Sequence, residues 1–321
     1  MQEIKSFIRH LEEAGKDRIL LDLAEELLPA YLDQYNSAAD KMEYVRSYCD
    51  EQASAKQNAA AVLAVLFWYH DFVGDKDAST YIITLFGTSG VIESQLSRLE
   101  ELHGKELSER VASRITFPKL GSRIEGYPEH VAAYLEALHE VLGQNGMIKV
   151  LAGNHHRLEP DQFDQEKELY AAAGSMAEYL RDKHMRLTAR LREHCESGKL
   201  WFEQVITPEV VDYVRENQNI QTGVFADGAV TITKIPYAPD RWIKETDPRL
   251  KRYYACHCPF VRSAILSGTE VSPLWCYCSG GFTKLLFDHI FGQELEVEML
   301  CSVLAGDQEC RFRVKLPPGV K

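Results

Sequence analysis

Apolar residues recur at helical spacing through most of the first two hundred positions. Ile4, Phe7, Ile8 and Leu11 fall three or four residues apart, and Leu20, Leu21, Leu23, Leu27 and Leu28 carry the same period through residues 18–35. Residues 53–72 are apolar nearly all round, which predicts a buried central helix. Helices are also expected over 78–103, where Gly87-Thr88-Ser89-Gly90 interrupts the pattern, over 105–115, and over 128–142 with Pro128 in the first turn. Residues 161–195 read as one long helix, striped by Leu169, Ala173, Met176, Leu180, Leu187 and Leu191, with His184 on the stripe.

The period changes near residue 205. Val224 and Phe225, the turn residues Asp227-Gly228 and the apolar run 230–235 predict a hairpin. Residues 251–258 (KRYYACHC) read as a short strand, followed by Pro259 opening a helix toward Leu266. An amphipathic helix is expected over 279–291 through Phe282, Leu285, Leu286, His289 and Ile290, ended by Gly292. Beyond it, Leu295, Val297, Met299, Cys301 and Val303 alternate with polar or small residues. A turn at 305–308 follows, and Cys310, Phe312, Val314 and Leu316 alternate on a returning strand. The expected fold class is α+β: an all-helical domain over 1–204, then an antiparallel-sheet module over 205–321 with helices on one face.

Composition narrows the partners. The 321 residues carry 36 Lys and Arg against 48 Asp and Glu, a net charge of −12. Residues 1–204 hold 23 basic and 34 acidic groups, and 205–321 hold 13 and 14, so the excess acidity belongs to the helical part. No dense basic run is present, which argues against a nucleic-acid or anionic-membrane partner. The longest strongly apolar run, residues 59–69, is about half of what spans a bilayer. With a polar amphipathic N-terminus, the expectation is a cytoplasmic protein with reduced thiols.

Eight cysteines are present, and six of them, Cys256, Cys258, Cys276, Cys278, Cys301 and Cys310, fall within 256–310. The run CYCSGGFTKLLFDHIFGQELEVEMLCSVLAGDQECRFRVKLP resembles the end of a 4-vinyl reductase domain. The likeness lies in Cys276 or Cys278, Gly281, Phe282, Gly292, Glu298, Cys301, Gly306, Cys310 and Phe312. The preceding CHCPFVRSAIL is similar to the Cys-Pro segment of L-2-amino-thiazoline-4-carboxylic acid hydrolase-like proteins. The resemblance covers residues 205–321 and implies an α+β module with a pocket for a small molecule, and in some relatives zinc near the cysteines. Residues 1–204 resemble no such family.

Two Cys-x-Cys pairs, Cys256/Cys258 and Cys276/Cys278, would offer four thiolates if brought together, with His257 as an accessory ligand; zinc takes a tetrahedral set of this kind. The usual structural spacing is wider than one residue, so packing of buried thiols and a single reactive thiol remain competing readings. Pro259 and Gly280-Gly281 would permit sharp turns around the cluster. Tyr254, Phe282, Cys301 and Cys310 are the candidate ligand contacts. For a hydrolase of a small cyclic amide or thiazoline, Cys258 is the candidate nucleophile, because it precedes a proline that can start a helix, with His257 or His289 as base. A third reading leaves the cysteines structural and makes the protein a scaffold, assembling as a homo-oligomer through the helix 161–195. Asn154-His155-His156 is read as a polar loop. No H-E-x-x-H, G-x-S-x-G, dinucleotide fingerprint or phosphate loop occurs.

Overall fold

The computed structural model describes residues 2–55 and 58–321. The chain divides into two compact units, residues 1–89 with 117–127 and residues 90–116 with 128–321. The first unit is built from α1 (Gln2–Glu13), α2 (Arg18–Ser37), α3 (Lys41–Ser54), α4 (Ala59–Phe72) and α5 (Lys76–Phe86). Their apolar faces meet in a core holding Phe7, Leu28, Tyr31, Val45, Cys49, Leu63, Leu66 and Ile82. Asp17, Asp40, Asn58 and Asp75 each accept a backbone N–H of the helix they open, satisfying donors that a helix start leaves unpaired. The cap at Asn58 explains why 53–72 is not one helix; residues 56 and 57, within that prediction, lie outside the described residues. Asp75 does more than cap. Its Oδ2 meets His70 Nδ1 at 3.0 Å, and the fully buried His70 ring meets the Tyr31 hydroxyl through Nε2 at 2.8 Å.

The second unit opens with α6 (Val91–His103), α7 (Lys105–Ala112) and α8 (Tyr127–Leu151), the last broken at Gly143 with φ 63°. Next come α9 (Asp164–Ala172), α10 (Met176–Ser197), α11 (Pro208–Glu216), β1 (Val224–Ala226) and β2 (Ala229–Thr233). The chain ends through α12 (Pro239–Trp242), α13 (Pro248–Ala255), α14 (Ala264–Ser267), α15 (Tyr277–Phe291), β3 (Val297–Cys301) and β4 (Arg311–Lys315). Asp227 and Gly228, both at positive φ, close the expected β1–β2 hairpin. All pairings are antiparallel, in the order β1-β2-β4-β3. Val230 faces Val314 and Ile232 faces Phe312 across β2 and β4, and these residues with Val297 form the inner face. Thr231, Arg313 and Glu298 take the other face by alternation. Met176, Tyr179 and Leu180 of α10 and Phe287 and Ile290 of α15 cover the inner face. The α+β class holds as read, with helices on one face of the sheet.

Three expectations change. The compact units do not part at residue 204: residues 90–116 and 128–204 group with the sheet, and Ala152, Met176, Tyr179 and Leu180 pack in the core beneath it. The single helix over 161–195 is two, since Ser175 stops it and caps α10 by accepting the N–H of Glu178 at 3.2 Å. Its stripe is covered within its own unit, with Met176, Leu180 and Leu191 fully buried. Residues 251–258 are mostly helical, because Asp247 caps and Pro248 opens α13.

Gly280 and Gly281 do not turn the chain. They lie in α15 and let it approach closely on two sides. A Cβ on Gly281 would sit 2.5 Å from the Gly153 carbonyl oxygen, and one on Gly280 would sit 3.2 Å from the Phe312 ring. At the far end of α15, the buried Lys284 ammonium pairs with Asp288 and lies 3.4 Å from Glu294, while Asp288 accepts the Leu295 N–H at 2.8 Å. That network fixes the turn into β3.

Candidate functional site

The end of β2, the turn after α13 and the start of α15 bring one lysine into a nest of thiols. Lys234 directly follows β2, and its backbone N–H donates to the Cys310 carbonyl at 2.9 Å, which roots its stem in the sheet. Its ammonium donates to Ser279 Oγ at 3.1 Å and lies 5.2 Å from the centre of the Phe282 ring. It is within electrostatic reach of Cys310, Cys278, Cys258 and Cys256. Burial pushes the Lys234 amine below the usual lysine range, against the opposing pull of those thiols. Among the described residues no carboxylate pairs with it. Lys234, His257, Cys258, Ser279 and Cys310 are partly buried and Phe282 is exposed, so the group lies close beneath the surface.

Cys258 is the thiol with the most donors. Trp275 Nε1–H donates to its Sγ at 3.1 Å, and the backbone N–H groups of Phe260 and Val261 point at the same sulfur from the turn opened by Pro259. Trp275 is held in place by Tyr134 and Phe260, at 6.3 and 5.2 Å between ring centres. Burial raises the Cys258 pKa, opposed first by the indole, then by the two amides and the Lys234 charge. The other thiols have less support. Burial pushes Cys278 up to about 12 and raises Cys256 and Cys276 further, while Cys276 accepts from Ser302 Oγ at 3.0 Å. Beside Cys278, the fully buried Gln95 carboxamide has no nitrogen or oxygen partner.

The candidate residues fare differently. Cys256, Cys258, Cys276, Cys278, Cys310, His257 and Phe282 come together. Cys301 does not reach the lysine: it ends β3 opposite Arg311, half-buried, with Glu309 and Arg311 acting on it ahead of Cys310, because the bulge between Met299 and Cys301 breaks the alternation. Tyr254 gives its carbonyl to Ala238 and its ring edge to Tyr253, as a helical residue rather than a strand one. His289 lies eleven residues beyond Cys278 on α15, about 16 Å along the helix axis, and meets Asp164 at 2.8 Å, so it cannot serve Cys258 as a base. His257 is near, but its Nε2–H donates to the Ile235 carbonyl at 2.6 Å, and burial lowers its pKa to about 3. That ring is a neutral strut.

Although the thiols gather, among the described residues no three His, Cys, Asp or Glu side chains form a group that could hold a metal ion. The cation among these sulfurs is the Lys234 ammonium, and Trp275 and Ser302 already use two of the sulfurs as acceptors. No step is assigned to zinc.

Sequence reasoning missed Lys234, Trp275, Ser279, Ser302 and Gln95. Lys234 had a signal: it is the lone charge in AVTITKIPYA. The loop histidines also divide. His155 is buried, with Nε2 at 2.8 Å from the Val150 carbonyl and Nδ1 at 3.2 Å from Ser94 Oγ, and burial lowers its pKa to about 4. His156 is exposed and meets the Phe282 ring edge-on at 5.4 Å between centres.

A family of unknown function (DUF6144) has a family model that matches residues 209–319. That stretch nearly coincides with the resemblance to 4-vinyl reductases, to which the family's description makes no link. No curated protein and no solved structure matches the chain. Among the described residues no helix is long and apolar enough to cross a membrane. The class defined so far is a chain with an α+β unit whose C-terminal third carries a lysine–thiol site.

Proposed function

We propose that the second unit binds a small molecule at the lysine–thiol site, through an oxygen acceptor facing Lys234. One observation carries this reading: the ammonium of a partly buried lysine sits in a wall of thiols and one aromatic face with, among the described residues, no carboxylate partner. Leaving a charge partly desolvated and unpaired is costly, and a ligand oxygen would relieve that cost. The test is a melting-temperature screen of small carboxylates and carbonyl compounds on the wild type and Lys234→Met. A ligand present at one hundred times its Kd adds about 2.7 kcal/mol. A binder should therefore raise the wild-type midpoint by several degrees and leave the variant unchanged. No shift with any compound, or equal shifts in both proteins, refutes the proposal.

A second reading, thiol-based hydrolysis with Cys258 as nucleophile, is favoured by the three N–H donors that converge on its sulfur, a geometry suited to thiolate. Neither histidine considered from the sequence serves it as base.

A further inference from the structure

We infer that Lys234 captures a small aldehyde or ketone covalently, its amine condensing with the ligand's carbonyl carbon to form an imine. This deepens the small-molecule reading and rests on it. The first ground is a contrast within one unit. Lys284 is a buried lysine in a structural role, and it is neutralised by Asp288 and Glu294. Lys234 has instead a serine hydroxyl, a phenyl face and thiols around it and, among the described residues, no carboxylate, so burial lowers its amine pKa against the weaker opposing pull of the thiols. The second ground is rigidity. The stem leaves the sheet at a hydrogen-bonded position, and Ser279 in the first turn of α15 holds the nitrogen 3.1 Å away, so the amine is aimed before a ligand arrives.

The chemistry balances with groups already present. The nitrogen lone pair attacks the carbonyl carbon, a C–N bond forms, and the carbonyl oxygen takes a proton to give a carbinolamine. Loss of the nitrogen-bound proton and departure of the hydroxyl as water, protonated on leaving, gives the C=N bond. Amine and carbonyl become imine and water, with no oxidant or reductant. Ser279 Oγ, 3.1 Å from the nitrogen, can relay the proton lost from nitrogen to the departing hydroxyl. Desolvation of the amine works in the same direction, because it raises the share of free base at neutral pH.

The probe is glyoxylate with cyanoborohydride, which reduces the imine to a stable secondary amine and leaves thiol hemithioacetals unreduced. Peptide mapping then locates the adduct. Lys234 should be the fastest-modified lysine in the peptide map, ahead of every exposed lysine, because burial holds more of its amine as free base. Lys234→Arg, which keeps the charge but cannot form the adduct, should lose that fast site while melting near the wild type. If Lys234 is labelled no faster than exposed lysines while glyoxylate still raises the melting temperature of the wild type and not of Lys234→Met, the covalent inference falls and the binding reading stands. If the screen of carboxylates and carbonyl compounds also yields no Lys234-dependent shift, both fall.

Discussion

Gly281→Ala tests whether the site is held by close backbone packing. A Cβ there would lie 2.5 Å from the Gly153 oxygen, 2.6 Å from the Ala152 carbonyl carbon and 2.8 Å from its oxygen, whereas ordinary contact begins at 3.4 Å. The helix or the 152–153 segment must therefore separate by about 0.9 Å. These atoms are backbone, so no side chain can rotate away. Overpacking of this kind costs about 3 kcal/mol at its upper range. Replacing a helical glycine by alanine returns up to about 1 kcal/mol, which leaves a net loss near 2 kcal/mol. For a unit of this size that lowers the melting midpoint by about 4–8 °C. Gly280→Ala is the internal control. Its Cβ would meet the Phe312 ring at 3.2 Å and Val297 at 3.5 Å, side-chain atoms that can yield by tenths of an ångström. It should stay within about 1 kcal/mol of the wild type. Urea unfolding of the two variants side by side decides the matter. Equal stabilities, or a Gly281→Ala protein as stable as the parent, would show that α15 does not depend on this approach.

Trp275→Phe keeps the ring against Phe260 and Tyr134 but removes the N–H aimed at Cys258. A donor to a charged sulfur is worth about 1.5–3 kcal/mol, so alkylation of Cys258 by iodoacetamide at neutral pH should slow about ten- to a hundredfold; an unchanged rate removes the support for thiolate at that position. For pH, the buried His155 titrates near 4 in the fold and near 6.5 in the unfolded chain. The unfolded state therefore takes up the proton first, and stability falls as pH drops from 6.5 toward 4, by about 1.4 kcal/mol per pH unit for this group. Between pH 6.5 and 5 the unfolding free energy of His155→Gln should vary less steeply than that of the wild type, and identical slopes would contradict the assignment.

The sequence by itself determined the elements whose information is local. The helical period from Ile4 to Leu28, the Asp227-Gly228 turn and the alternation ending at Phe312 and Val314 each depend on neighbours a few residues away. It also exposed the gathering of cysteines between 256 and 310. Where a local signal was outweighed by a long apolar stripe, the reading erred: Ser175 with Glu178 three residues on, and Asp247 before Pro248, both open helices. The tertiary structure decided which thiols share a space. Cys310 joins the cluster and Cys301 does not, although both looked alike in phase, because a one-residue bulge shifts a strand's facing. Only folding brought Lys234 and Trp275 to Cys258, from positions 24 residues before and 17 after it. Contacts between side chains so far apart in the chain follow from how the sheet and helices pack, which no local period encodes.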